Sequence, residues 1–161
     1  MANAVLAAPG AHLLSLWWDV RIVPDIEARE SRLRKCEGRF VGVFNKLNAW
    51  GLTEFEKVIL LDVDTLVLKP LDELFGSETP MAMFRGNNNT PMGCTREPGT
   101  FFNRRGKAKF GINAGVISLK PSAVDLGNMS ETIRSKSIST HVPEQDFLSA
   151  YFCDRWHALA T

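Results

Sequence analysis

Lys57-Val58-Ile59-Leu60-Leu61-Asp62-Val63-Asp64-Thr65-Leu66-Val67-Leu68 is the stretch on which the fold turns. Val58 to Leu61 form an apolar run too short for a helix, the pattern of a strand buried on both faces in a mostly parallel sheet. The run breaks at Asp62. Extended backbone turns residues i and i+2 to one side, so Asp62 and Asp64 are expected to converge at the strand's carboxyl end. Such a pair offers hard oxygen ligands to Mn²⁺ or Mg²⁺, and a metal there can bridge to a diphosphate whose charge must be neutralised as it leaves. The plainer alternative is turn chemistry, with Asp64 and Thr65 capping a bend.

Outward from this stretch the pattern alternates between strand and helix. Upstream, Val43, Leu47 and Trp50 fall at helical spacing with Phe44 beside them and Gly51 as a stop, which predicts a short amphipathic helix. Before it, an apolar run from Leu13 ends in Asp19 to Pro24, read as a short strand, and Glu27 to Arg39 is a charged, solvated connection. Downstream, Leu71, Leu74 and Phe75 predict one helical turn. Residues 85–109 are rich in Asn, Gly and Pro and read as a long irregular loop. Its basic end, Arg104, Arg105, Lys107 and Lys109, suits a solvated excursion better than an acceptor or phosphate site.

Val116 to Leu119 give a second buried strand, and a weakly patterned helix follows Pro121. Pro143 opens a helix whose apolar side is Phe147, Leu148, Tyr151 and Phe152. The fold class is therefore α/β.

Bulk properties narrow the function. At 161 residues the chain fits one domain, residues 1–161, since domains cluster at ~100 to 150 residues. With 45% hydrophobic and 23% charged residues it has the composition of a folding globular chain. A net charge of +1 provides no field for a polyanion, so nucleic acid is not an expected partner. Cys36, Cys94 and Cys153 match neither a disulfide framework nor a zinc site and read as free thiols. No run approaches ~20 apolar residues and no basic residue precedes the apolar start, so neither a membrane span nor a signal peptide is expected.

Several segments together resemble the glycogenin-like glycosyltransferases, family 8 of the sequence classification, which include the galactinol-synthase-like enzymes. They are Phe44-Asn45-Lys46-Leu47-Asn48-Ala49-Trp50-Gly51-Leu52-Thr53, the Asp62 stretch quoted above, Phe110-Gly111-Ile112-Asn113-Ala114-Gly115-Val116, and Pro143-Glu144-Gln145-Asp146-Phe147-Leu148. The resemblance covers roughly residues 40 to 157 and keeps the motifs in order. It implies a GT-A type Rossmann-like fold with a central mixed sheet and a UDP-sugar donor. It also implies Mn²⁺ (or Mg²⁺) and transfer of a hexose, glucose or galactose, with retention.

By that resemblance Asp62 and Asp64 bind the metal, and Asp62 also lies near the donor's ribose. Lys46 matches a lysine near the donor, where a point cation stabilises phosphate or sugar oxygens. On its residues alone Lys46 is a solvated lysine on a short helix. Asn113, followed by Ala114 and Gly115, matches the asparagine that hydrogen-bonds sugar hydroxyls, and Gly115 permits close backbone approach. A plain Asn-Ala-Gly turn is the alternative. Glu144 and Gln145 match an acid and an amide beside the sugar, while acids in a first helical turn also suit the helix dipole. Gln145 is a poor nucleophile, so front-side substitution is favoured over a covalent intermediate.

Two departures stand beside the resemblance. The family begins with a strand and helix that hold the uracil and ribose, which Met1 to Val20 does not match. It also supplies a third metal ligand from a His-x-x-Gly context that His157 does not match. His157, His12 and His141 read as surface or packing residues. The expectation is therefore a chain incomplete at both ends, with a second reading as a non-catalytic nucleotide-sugar-binding domain.

A third reading comes from haloacid-dehalogenase-like phosphatases, which also begin at a strand followed by Asp-x-Asp. It fares worse, because Leu66 departs from their pattern and no later acidic pair follows a strand. The acceptor stays open among saccharide, inositol, lipid-linked sugar and protein hydroxyls. Pairing of two copies as a homodimer is an arrangement the resemblance allows. The compartment favoured is the cytoplasm, with the secretory pathway for a chain preceded by a leader.

Overall fold

The computed structural model describes residues 2–6, 18–28, 42–85, 111–135, 142–152 and 155–159. Most of the expected loop at 85–109 lies outside these residues, as do Arg104, Arg105, Lys107, Lys109, His12, His141, all three cysteines and residues 29–39 of the charged connection. The chain divides into two compact units. One comprises Met1–Leu52 with Ser122–Ser137, the other Thr53–Pro121 with Ile138–Thr161.

In the first unit, strands β1 (Ala2–Leu6) and β2 (Trp18–Ile22) pair in parallel, Ala2 opposite Trp18. The β2 strand sits where the alternation before Pro24 predicted one, whereas β1 carried no signal that was read. The helix predicted at Val43 forms as a 3₁₀ helix, η1 (Val43–Gly51), entered through Gly42 at φ 71°, a left-handed value that glycine adopts without strain. Its Phe44, Leu47, Ala49 and Trp50 are buried.

Two asparagines tie the segment after β2 to η1. Asn45 accepts the Ile26 amide at 2.9 Å and donates to the Asp25 carboxylate at 2.6 Å, and Asn48 donates to the Pro24 carbonyl at 3.0 Å. The helix predicted after Pro121 is α1 (Ala123–Ser135). The Ser122 hydroxyl caps its start by accepting the Asp125 amide, and Met129 and Ile133 are its buried residues.

The second unit is a mixed four-stranded sheet in the order β3-β5-β4-β6, built from β3 (Val58–Leu61), β4 (Met81–Arg85), β5 (Gly111–Leu119) and β6 (His157–Leu159). The β5 strand runs antiparallel to both β3 and β4, and β6 runs parallel to β4. The α/β class and the mixed sheet agree with the sequence reading.

The surroundings of β3 do not. Its four residues are half-buried rather than buried on both faces, and its one partner in the described sheet, β5, is antiparallel. Position at the end of the described sheet explains the half-burial. The apolar run after the carboxylates does not return to the core either: Leu66 and Leu68 are 79% and 83% exposed. The helical turn expected at Leu71 is η2 (Asp72–Gly76), which buries Leu74 against Met81 and Leu159.

The helix opened by Pro143 is α2 (Pro143–Tyr151). Its predicted apolar side is confirmed by burial of Phe147 and Leu148, with Phe152 buried just beyond its end. Trp156, fully buried, stacks on Phe84 at 6.2 Å between ring centroids. Arg85, where the expected loop was to begin, is the last residue of β4.

Candidate functional site

The β3 strand ends at Leu61 and the chain turns at once. The Asp62 carbonyl accepts the Thr65 amide at 3.0 Å, which closes a four-residue turn with Val63 and Asp64 at its corners. The backbone from 62 to 64 is therefore not extended, and the i, i+2 argument for convergence does not apply. The two carboxylates are instead carried at the base and the corner of one turn. Asp64 stands exposed at its corner, while Asp62 is half-buried at its base. The Asp62 amide donates to the Gly115 carbonyl at 2.9 Å, one step beyond the last ladder pair of Leu61 with Val116.

Asn113 was expected just before a strand and instead lies inside β5. The apolar run begins only at Val116, and the small residues before it hid the strand's first half. The pairing of β4 with β5 jumps here, Ala82 opposite Ile117 and the next residue, Met83, opposite Asn113, so Ala114, Gly115 and Val116 form an irregular bulge. A bulge bends its strand and re-aims its side chains. Within it the Asn113 Oδ1 accepts the Gly115 amide at 3.0 Å. A Cβ at Gly115 would lie 3.2 Å from the Asn113 Oδ1 and 3.8 Å from the Asp62 Oδ2. Gly115 thus keeps a side chain out from between the Asp62 carboxylate and the Asn113 amide. The Ala114 side chain is fully buried, so only its backbone can face a ligand.

Glu144 and Gln145 occupy the first turn of α2 in the same unit. Glu144 is buried and Gln145 half-buried. Asp146, beside them, accepts from the Arg85 Nη2 at 2.6 Å with its side chain 8% exposed, and that ion pair joins the helix to β4. Arg85 and Asp146 were missed as a pair because they lie far apart in sequence and nothing in either segment marks a partner.

Lys46 belongs to the other unit, half-buried on η1 between the clamping residues Asn45 and Asn48. Among the described residues no group of three or more His, Cys, Asp or Glu side chains gathers around the Asp62 turn or elsewhere. Asp62 and Asp64 are the two carboxylates that this turn carries.

An α/β unit whose Asp-x-Asp turn and asparagine-bearing strand share one end of a mixed sheet is the arrangement of a GT-A-like glycosyltransferase. The comparisons agree: the chain belongs to a glycosyltransferase family, described as mannosyltransferase, whose model matches residues 21–150. It is 32% identical over 123 residues to the uncharacterized protein R707 of Acanthamoeba polyphaga mimivirus, covering 75% of this chain and 43% of that protein. It is 42% identical over 77 residues to Glycogenin-1 of Caenorhabditis elegans, covering 47% of this chain and 18% of that protein. With Inositol phosphorylceramide glucuronosyltransferase 1 of Arabidopsis thaliana it shares 28% identity over 116 residues, 72% of this chain and 17% of that protein. The chain therefore spans less than half the length of each of these relatives.

Proposed function

We propose that this chain carries the donor-binding part of a retaining glycosyltransferase that moves a hexose, glucose or galactose, from a UDP-sugar to an acceptor hydroxyl. The observation that carries the reading is the convergence of Asp62, Asn113 and Gly115 at one end of the sheet. There, the Asp62 amide bonds to the Gly115 carbonyl, the Gly115 amide bonds to the Asn113 Oδ1, and glycine keeps a side chain out from between the carboxylate and the amide. Asp62 and Asp64 would hold Mn²⁺ or Mg²⁺, which when bound neutralises the charge that develops on the departing diphosphate.

The chain's own groups then divide the remaining work. Asn113 offers an amide donor and acceptor to sugar hydroxyls. Glu144 and Gln145 hold the sugar from the α2 turn. The acceptor oxygen attacks the anomeric carbon on the face that the diphosphate leaves. The bond to the phosphate oxygen breaks as the new bond forms, and the acceptor's proton passes to that leaving oxygen. This route needs no protein nucleophile, which matches Gln145 at the position beside the sugar.

Titration calorimetry of UDP with Mn²⁺ and with chelator tests the reading. Binding that needs both the metal and the two aspartates is expected. A folded chain that binds no UDP under either condition sinks it, and turnover of UDP-glucuronate ahead of UDP-glucose and UDP-galactose sinks the choice of sugar.

A further inference from the structure

We propose that Ser149 is a positioning residue that sets the α2 turn carrying Glu144 and Gln145 against the strand carrying Asn113, an inference that rests on the function proposed above. Ser149 is fully buried, and its hydroxyl makes two hydrogen bonds in opposite directions. It accepts the Ile112 amide from β5 at 2.9 Å and donates to the Gln145 carbonyl at 2.6 Å. A serine bonded to the carbonyl four residues back is common in helices. Here the same oxygen also takes a sheet amide, and the two backbone groups it joins belong to the sugar-holding residue Gln145 and to the neighbour of Asn113.

The close approach this bridge requires is built into β5. A Cβ at Gly111 would overlap the Ser149 hydroxyl and lie 2.9 Å from the Ser149 Cβ, so glycine at 111 lets the helix settle onto the strand. Arg85 holds the same turn from the next strand through its 2.6 Å ion pair with Asp146. With two strands anchoring one turn, the spacing of Gln145 from Asn113 depends on a hydroxyl that touches no substrate. A change of ~1 Å in such spacing costs on the order of a hundredfold in rate.

The test compares wild type, Ser149→Ala and Ser149→Cys by thermal melt, by calorimetry of UDP with Mn²⁺, and by turnover of UDP-glucose and UDP-galactose. Ser149→Ala is expected to bind UDP within about twofold of wild type while kcat falls roughly ten- to a hundredfold. Ser149→Cys recovers part of that loss, because a thiol keeps a weak donor and a weak acceptor. Should Ser149→Ala not fold, Ser149→Cys must by itself show normal UDP binding with lowered kcat.

Wild-type kcat in a folded Ser149→Ala protein overturns the proposal, as does an equal loss of UDP binding and turnover. A folded wild-type chain that binds no UDP, or binds it and turns over neither sugar, overturns the function beneath the proposal and is read before any variant.

Discussion

The Gly115 carbonyl accepts the Asp62 amide at 2.9 Å, and through that bond the β5 bulge fixes the base of the turn that carries both carboxylates. Because the bond uses backbone atoms, the Asp62 side chain can be changed without releasing the turn. Asp62→Asn and Asp64→Asn are therefore expected to fold and melt close to wild type, while each weakens Mn²⁺-dependent UDP binding at least about tenfold by removing a charged oxygen ligand. Chelator should reproduce the loss in wild type and add nothing in the double variant, as read by calorimetry.

Gly115→Ala tests the open space instead of the charge. The new methyl would press on the Asn113 Oδ1 at 3.2 Å and approach the Asp62 Oδ2 at 3.8 Å. Donor affinity is expected to fall by about tenfold, with a stability loss near 1 kcal/mol, typical of a modestly strained substitution. Affinity equal to wild type would show that the space is not used.

Asp146→Ala strips the Arg85 guanidinium of its partner at a place where the carboxylate is 8% and the arginine side chain 21% exposed. Breaking a buried pair from one side costs roughly 3 to 5 kcal/mol, and partial exposure of Arg85 puts the expectation at the lower end, about 3 kcal/mol. Urea denaturation measures it. Replacing both residues together by apolar side chains should cost less than Asp146→Ala alone.

Asn45→Ala removes the acceptor of the Ile26 amide and the donor to Asp25. Ile26 is buried, so its amide is left without this partner, at a cost of about 1 to 3 kcal/mol. Hydrogen exchange should locate the change: the Ile26 amide exchanges faster while the amides of β5 keep their protection.

Much of this architecture was legible along the chain. The helix opened by Pro143, with Phe147 and Leu148 inward, followed from proline at the start and apolar residues at helical spacing. The strand at Val58 followed from its aliphatic run and the helix after Pro121 from its start signal. Local chemistry misled where its signals are shared. Asn113-Ala114-Gly115 has the composition of a turn but forms part of a bulged strand. There the pairing partners, not residue preference, decided the outcome.

The sequence by itself determined which residues can do chemistry: the carboxylates of Asp62 and Asp64, the amide of Asn113, and Glu144 and Gln145 in a first helical turn, all carried by an α/β pattern. Those are properties of side chains and of near-neighbour spacing, and they survive in one dimension. Only the tertiary structure decided that the carboxylates sit on a closed turn instead of an extended strand. It also decided that Gly115 faces Asp62, that Arg85 reaches Asp146, and that Ser149 joins Ile112 to Gln145. Each of those relations is made across a sheet or between a strand and a helix, where hydrogen-bond register and packing select partners that sequence distance does not encode.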